Sequence, residues 1–401
     1  MYYPRITDIK NAAKVLNTIM LRTPLQLNSE LSNKYGANIY LKREDLTPVR
    51  SYKIRGAYNK MSSLSSKNIV TCSAGNHAQG VALSCSLLKI HGKIFMPTIT
   101  PQQKIEKVKK FGGNKVEIIL KGDNFDESYD YARDSSDAEF IHPFDDQKVI
   151  EGQGTVGLEI IDQLKECPDY VIIPIGGGGL AAGLSAYIKE VSPKTQIIGV
   201  EPVTAPSMTM ALKYGKPYKL DTISTFVDGA AVKKVGSLNY PICKANLDNV
   251  LLIEEGHICS KILQMYNENG FIIEPAGVLS LCALDLMNIK NKTVVSVISG
   301  GNSDVFRMPE ILDKSLIYEG LKHYMKIDFP QRPGALKEFI LKVLGKNDDI
   351  IYFRYTKLIN KEMGPVIIGF QLKQKDDIQN IVTKMNMLNI RFEAIDNNCY
   401  I

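Results

Sequence analysis

The sequence predicts an α/β fold, a body built on parallel sheets followed by a small α+β domain, and three observations carry that reading. From about residue 36 to 305, short β-branched runs alternate with helical patterns. The strand runs are continuously apolar rather than alternating, which is the mark of parallel strands covered on both faces. After about residue 320 the rhythm changes to strand, helix, two strands, helix, strand within ~80 residues, the split-βαβ, ferredoxin-like order. The length of 401 residues with 44% hydrophobic content allows a large core and more than one domain.

In chain order, "NIVTCS" is a strand that hands over to the helical "NHAQGVALSCSLL", and "KIFMPT" is followed by "QKIEKVKKFGG". "YVIIPI" leads into "LAAGLSAYIKE", then come the strands "QIIGVEP" and, late, "TVVSVIS". Ligands of such sheets sit at the carboxyl ends of strands, so the turns after them are where chemistry is sought. In the tail, "HYMKIDF" is a strand and "PGALKEFILKVL" a helix opened by Pro333. "DIIYFRYTK" and "GPVIIGFQLK" pair as strands, "KDDIQNIVTKMNML" is a helix, and "IRFEAI" closes the set. The expected organisation is a body over 1–320 and a second domain over 322–401.

The net charge of +6 comes from 49 basic and 43 acidic residues. The densest basic stretch, "KIEKVKKFGGNK", spaces its charges as a solvated helix face does, so neither charge nor motif calls for nucleic acid. No apolar run approaches the ~18 residues that span a bilayer, and "MYYPRITDIK" has no export-signal pattern. Seven cysteines (72, 85, 167, 243, 259, 282 and 399), odd in number and without a CxxC pair, fit free thiols in a reducing cytoplasm and no metal site.

Three strand-to-helix turns stand out. "SAGNHAQG", residues 73–80, has small residues that leave backbone amides open at the positive end of a helix, a place for a carboxylate, and Asn76 adds a donor and an acceptor. His77 reads as an orienting or structural residue rather than a base. "PIGGGGLAAG", residues 174–183, lets the backbone fold around a phosphate. Gly176, Gly178 and Ala181 also fit a dinucleotide fingerprint with Glu201 as the ribose acid, although Pro202 follows that acid directly. "SVISGGN", residues 296–302, places the hydroxyl of Ser299 at a strand tip, suited to a heterocyclic nitrogen or simply to a turn. Lys53, in "RSYKIRGAYNK", begins an amphipathic helix, where the dipole and partial burial both disfavour the ammonium. Such an amine can form a Schiff base with a carbonyl. Together these are the parts needed around pyridoxal phosphate.

"KREDLTPVRSYKIRGA", "SAGNHAQG", "PIGGGGL" and "SGGN", in this order, resemble the pyridoxal-phosphate enzymes of fold type II, the tryptophan-synthase-β-like class, which implies a catalytic body over 1–320 with two parallel-sheet subdomains, the smaller at roughly 48–151. "PTITPQQKIEKVKKFGG", "HPFDDQKVIEGQGTVGLEI" and "FVDGAAV" narrow the resemblance to biosynthetic threonine dehydratases (threonine ammonia-lyases). The resemblance implies pyridoxal 5'-phosphate held covalently by Lys53, with Asn76 at its 3-hydroxyl and Ser299 beside its ring nitrogen. Gly176, Gly177, Gly178, Gly179 and the Leu180 amide would take its phosphate. Tyr52 stands where the family commonly has Phe, keeping an aromatic face. Ser73, Ala74, Gly75, Asn76 and His77 would receive the substrate carboxylate. The activity implied is deamination of L-threonine to 2-oxobutanoate, the first committed step of isoleucine biosynthesis, in a cytoplasmic homo-oligomer, dimer or tetramer.

The tail resembles the regulatory ACT-like domain of the same enzymes, present once. Isoleucine is the implied effector, with Phe329, Pro333, Gly334 and Leu336 as its site, or the domain serves assembly alone. The same cofactor parts also serve serine dehydratases and racemases, so L-serine is a second candidate substrate. An amino-acid sensor with a catalytically dead body is a reading from another class.

Overall fold

A computed structural model describes residues 2–134, 138–356 and 361–395; Cys399 lies outside them. The chain divides into two compact units, Met1–Ser303 and Asp304–Ile401. Helix Met308–Tyr318 therefore falls with the second unit, ahead of the border expected at 320–322. It is tied there by its own chemistry: Asp313 on this helix pairs with Lys322, the first residue of the next strand, at 2.5 Å.

The first unit contains ten strands among its described residues: β1 (Leu25–Leu27), β2 (Asn38–Arg43), β3 (Asn68–Cys72), β4 (His91–Met96), β5 (Val116–Leu120), β6 (Glu139–Phe140), β7 (Tyr170–Pro174), β8 (Gln196–Pro202), β9 (Asn249–Ile253) and β10 (Thr293–Ile298). Six of them form one sheet in the order β1-β2-β10-β7-β8-β9, and four form a second in the order β5-β4-β3-β6. Every pairing is parallel except β1 with β2, an antiparallel edge that the apolar rhythm did not announce. The central strands are buried because both faces are covered. Val171, Ile173, Val295 and Val297 pack with Leu184 and Ile188 in the larger sheet's core, and Ile69 and Ile94 pack with Val81 and Val108 in the smaller one.

The topology has one consequence for function. β10 lies between β2 and β7, with Ile298 level with Arg43 on one side and Ser296 level with Ile172 on the other. The carboxyl ends of three adjacent strands therefore lead into three different motifs: the segment to Lys53 after β2, Ser299 after β10, and the glycine run after β7. The "SAGNH" turn follows β3 of the second sheet.

The second unit holds β11 (Lys322–Pro330), β12 (Asp349–Tyr355), β13 (Met363–Gln371) and β14 (Phe392–Ala394) in the order β12-β13-β11-β14, all antiparallel. With helices Ala335–Val343 and Asp377–Met387 after the first and third of these strands, this is the ferredoxin-like arrangement. Its core is Ile327, Phe329, Phe339, Val366, Ile368 and Ile381 among others. Among the described residues no helix is long and apolar enough to cross a membrane.

Candidate active site

Lys53 opens helix Lys53–Ser62. The residues before it run against the turn after β10: Tyr52 N donates to Ser299 O at 3.1 Å, Gly301 N donates to Arg50 O at 2.9 Å, and Ser51 bridges Gly300. The backbone at Lys53 is thus bound to the backbone at Ser299. On the other side, Gly80 of helix Asn76–Leu88 lies against the Lys53–Ile54 peptide, so near that an added Cβ would stand 3.2 Å from Ile54 N. The half-buried Lys53 Nζ donates to Pro143 O at 3.0 Å and lies 5.3 Å from the centre of the Tyr52 ring. Burial lowers its pKa to about 8, against a smaller opposing pull from Glu274. The result is an amine with a sizeable unprotonated fraction near neutral pH.

The glycine run is held from behind by its carbonyls. Gly177 O accepts from Asn239 Nδ2 at 2.8 Å and from Gly236 N at 3.0 Å. Gly178 has φ +89°, a left-handed conformation that favours glycine, and from it helix Gly179–Val191 departs. Ala182 N closes the first helical turn on Gly178 O. The amides of Gly179, Leu180 and Ala181 have no carbonyl within the helix and form an anion site at its positive end. Gly177 is required for a second reason, since a Cβ there would enter the ring of Phe144.

Asn76 is fixed at both ends of its amide. Its Nδ2 donates to Glu274 Oε1 at 2.7 Å, and its Oδ1 accepts from Asn302 Nδ2 at 2.8 Å. Beside it, Gly75 faces open space, with nothing within 4 Å of where a Cβ would stand. His77 is turned the other way: buried, it donates from Nε2 to Ile141 O at 3.0 Å, and burial lowers its pKa to about 3. It is a neutral, structural ring, and its side chain is engaged away from the "SAGNH" amides. Ser299 is buried at the tip of β10.

Glu274, Asn302, Phe144 and Asn239 complete the site without having been assigned a role from sequence. Glu274 stands in "FIIEPAG", an acid between an apolar run and a proline-opened helix, and that oddity was the one local signal. Burial, then the charge of Asp228, raises its pKa to about 7 despite the bonds from Asn76 and Asn302. Glu201, the acid of the dinucleotide reading, is already occupied. Its carboxylate accepts from Met208 N at 2.7 Å, Thr209 N at 2.9 Å and Thr209 Oγ1 at 2.8 Å, capping helix Ser207–Tyr214. No ribose acid remains at the end of β8.

In the second unit, helix Ala335–Val343 starts from Gly334 at φ +81° with Pro333 exposed beside it. Leu336 is 37% exposed, but Phe329 is only 3% exposed and packs against Phe339 in the core. The apolar contact expected from Phe329 is therefore used within the domain, because β11 turns that face inward. Arg332 pairs with Glu338 in the first turn of this helix.

An aldehyde that carries a phosphate and a ring nitrogen needs an unprotonated amine, an anion cradle and polar contacts for the ring. The lowered Lys53 amine, the Gly179–Ala181 amides, Ser299 and the fixed amide of Asn76 supply these, so the residues fit pyridoxal phosphate.

Residues 16–300 match the family of pyridoxal-phosphate dependent enzymes, and residues 313–401 match the C-terminal regulatory domain of threonine dehydratase. The chain is 50% identical to an L-threonine dehydratase biosynthetic IlvA of Halalkalibacterium halodurans, over 98% of this chain and 97% of that protein. It is 49% identical to the Bacillus subtilis protein of the same name, over 95% and 93%. Among solved structures it resembles the processed form of threonine deaminase isoform 2 from Solanum lycopersicum, with a TM-score of 0.72 and 39% identity over 78% of this chain and 95% of that one. Maize serine racemase gives a TM-score of 0.72 at 29% identity, over 79% and 99%.

Proposed function

The chain belongs to the pyridoxal-phosphate-dependent enzymes and within them to the biosynthetic threonine dehydratases, and from that premise we infer how its residues divide the work. It is a threonine ammonia-lyase, which converts L-threonine to 2-oxobutanoate and ammonia in isoleucine biosynthesis. When bound, the cofactor supplies electron withdrawal from the α-carbon of the amino acid. The amides of the glycine run and of Leu180 would hold the phosphate, Asn76 would meet the 3-hydroxyl and Ser299 would stand at the ring nitrogen; the Tyr52 ring lies beside the Lys53 amine.

The open face at Gly75 receives the threonine carboxylate at the turn of residues 73–77, where Ser73 N is already bonded to Phe95 O and Gly75 N to Ser73 Oγ. Lys53 would hold the cofactor until substrate arrives. Its freed amine, lowered to about 8, then takes the α-proton at Nζ. Loss of the β-hydroxyl as water and hydrolysis in solution give the oxo acid and ammonia. The observation that carries this reading is the clamp of residues 50–52 against 299–301, which fixes the backbone leading into the lowered Lys53 amine against the backbone at the strand-tip serine.

The second unit is a C-terminal regulatory domain, and isoleucine is the effector we assign to it, at the exposed start of helix Ala335–Val343 with Pro333, Gly334 and Leu336. Phe329 backs that site from the core. We place the enzyme in the cytoplasm as a homo-oligomer; the six cysteines among the described residues are free, in keeping with a reducing compartment. The test is oxo-acid release from L-threonine and L-serine by the purified enzyme, with isoleucine titrated against threonine turnover. Turnover of threonine that falls as isoleucine rises is expected. Preference for serine would move the reading to a serine dehydratase, and turnover indifferent to isoleucine would remove the effector assignment.

A further inference from the structure

Glu274 has no part in the proton transfer just described, yet it is 4% exposed, carries a carboxylate and stands at the centre of the site's polar contacts. Oε1 accepts from Asn76 Nδ2 at 2.7 Å and Oε2 from Asn302 N at 3.2 Å, while Asn302 Nδ2 donates to both Asn76 Oδ1 and Val49 O at 2.8 Å. The three residues form a closed ring of contacts, Asn302 joining Glu274 through its backbone N–H and Asn76 through its side chain, drawn from helix Asn76–Leu88, the start of helix Pro275–Cys282 and the turn after β10. Gly300 accommodates it, for a Cβ there would run into Glu274 Oε1.

The ring settles which end of Asn76 is which. An amide has one donor end and one acceptor end. The Val49 carbonyl only accepts, so Asn302 Nδ2 faces it and Asn76 Oδ1, and Asn76 Nδ2 is left to face Glu274. The ring oxygen of pyridoxal phosphate, once ionised, also only accepts. The end of Asn76 able to serve it is the end that Glu274 holds.

We propose that Glu274 is a positioning residue for the cofactor, acting through Asn76 to fix an N–H donor for the ionised 3-oxygen. The proposal rests on the reading that Asn76 meets that oxygen. Glutamine at 274 is nearly isosteric but cannot replace the carboxylate: facing two donors, Asn76 Nδ2 and Asn302 N, it offers one acceptor and one donor, so one contact is lost.

The experiment measures the dissociation constant of pyridoxal phosphate from the full-length protein, and the visible absorption band of the holoenzyme, for wild type, Glu274→Gln, Asn76→Ala and the double variant. Glu274→Gln is expected to weaken cofactor binding about tenfold and to move the visible band in the same direction as Asn76→Ala. The double variant is expected to be no worse than Asn76→Ala alone. Effects of the two single changes that multiply in the double variant, or a band unmoved by Glu274→Gln while Asn76→Ala shifts it, would overturn the proposal. Asn76→Ala with both readouts unchanged would instead overturn the reading of Asn76 itself. If Glu274→Gln does not yield folded protein, Glu274→Asp carries the same test, since it keeps the charge but withdraws the oxygens by one methylene.

Discussion

Lys53 and Arg55 sit two residues apart in one turn of the same helix, which points them to different sides, and each enters a buried polar cluster of a different kind. Arg55 is fully buried between Glu44 and Glu159, at 2.7 Å from each, and Lys42 reaches Glu159 at 2.6 Å. Two cations meet two anions, with Thr23, Thr155 and Gln163 taking remaining bonds. Burial works against ionised Glu159, but Arg55 and Lys42 together hold its carboxyl below the usual range. In the site, burial prevails: Glu274 rises to about 7 and Lys53 falls to about 8. The contrast teaches that ion pairing can outweigh burial, as it does at Glu159 but not at Lys42, whose ammonium burial still disfavours. A charge so held is structural rather than near its titration point and usable for chemistry.

The largest effect should come from the unpaired side. Lys53→Ala is expected to lower threonine turnover by about 10⁴-fold or more, while circular dichroism and the melting temperature remain those of the folded enzyme. Retained turnover would remove Lys53 from the chemistry and with it the contrast.

The paired side answers with stability. Arg55→Met leaves Glu44 and Glu159 buried with Lys42 as their remaining cation, and a loss of about 3–5 kcal/mol in urea unfolding is expected. A loss below about 1 kcal/mol would mean that the cluster is not the neutral, interlocked unit described. Converting Lys42, Glu44, Arg55 and Glu159 together to apolar residues of similar size should recover much of that stability.

A pH comparison sharpens the difference further. Glu274 has its folded pKa raised from 4.5 to about 7, so its favourable contribution is full below 4.5 and is lost as pH rises through 7. Lys53 has its folded pKa lowered from 10.5 to about 8, so its contribution is full above 10.5 and is lost as pH falls through 8. Between pH 7 and 8 both losses are in force, each of order 3 kcal/mol. The cofactor-free protein should therefore gain most stability from the pair Lys53→Met and Glu274→Gln at pH 7–8, and less at pH 5 or pH 10. A gain that does not vary with pH would show that these groups are held by partners as firmly as Glu159 is.

Much of the site was legible because its parts are local. A strand that is apolar throughout, then glycines or "SAGNH", then a helical pattern, places exposed amides at a helix start wherever the strand sits in the sheet. Lys53 at a helix start carried its own signal in the same way. His77 was placed in the right turn, but its side chain took a backbone partner, Ile141, that belongs to a segment after β6. Phe329 was expected to offer an apolar contact near the start of helix Ala335–Val343, but the pleat of β11 turned it into the core. The edge strand β1, three residues long and half exposed, had too little apolar length to register.

What the sequence determined by itself was periodicity and turn chemistry: the α/β rhythm, the ferredoxin-like tail, the amine, the glycine cradle and the polar turn. What tertiary structure alone decided was pairing. Asn76 and Glu274 lie 198 positions apart and Arg55 and Glu159 lie 104 apart, yet each pair is in contact within 3 Å. A hydrogen bond depends on distances of a few tenths of an ångström, and those follow from sheet order and helix packing rather than from any run of neighbouring residues. So the residue types around Lys53 could be read in advance, while the rule that makes one buried charge inert and leaves its neighbour two positions away reactive existed only in the folded chain.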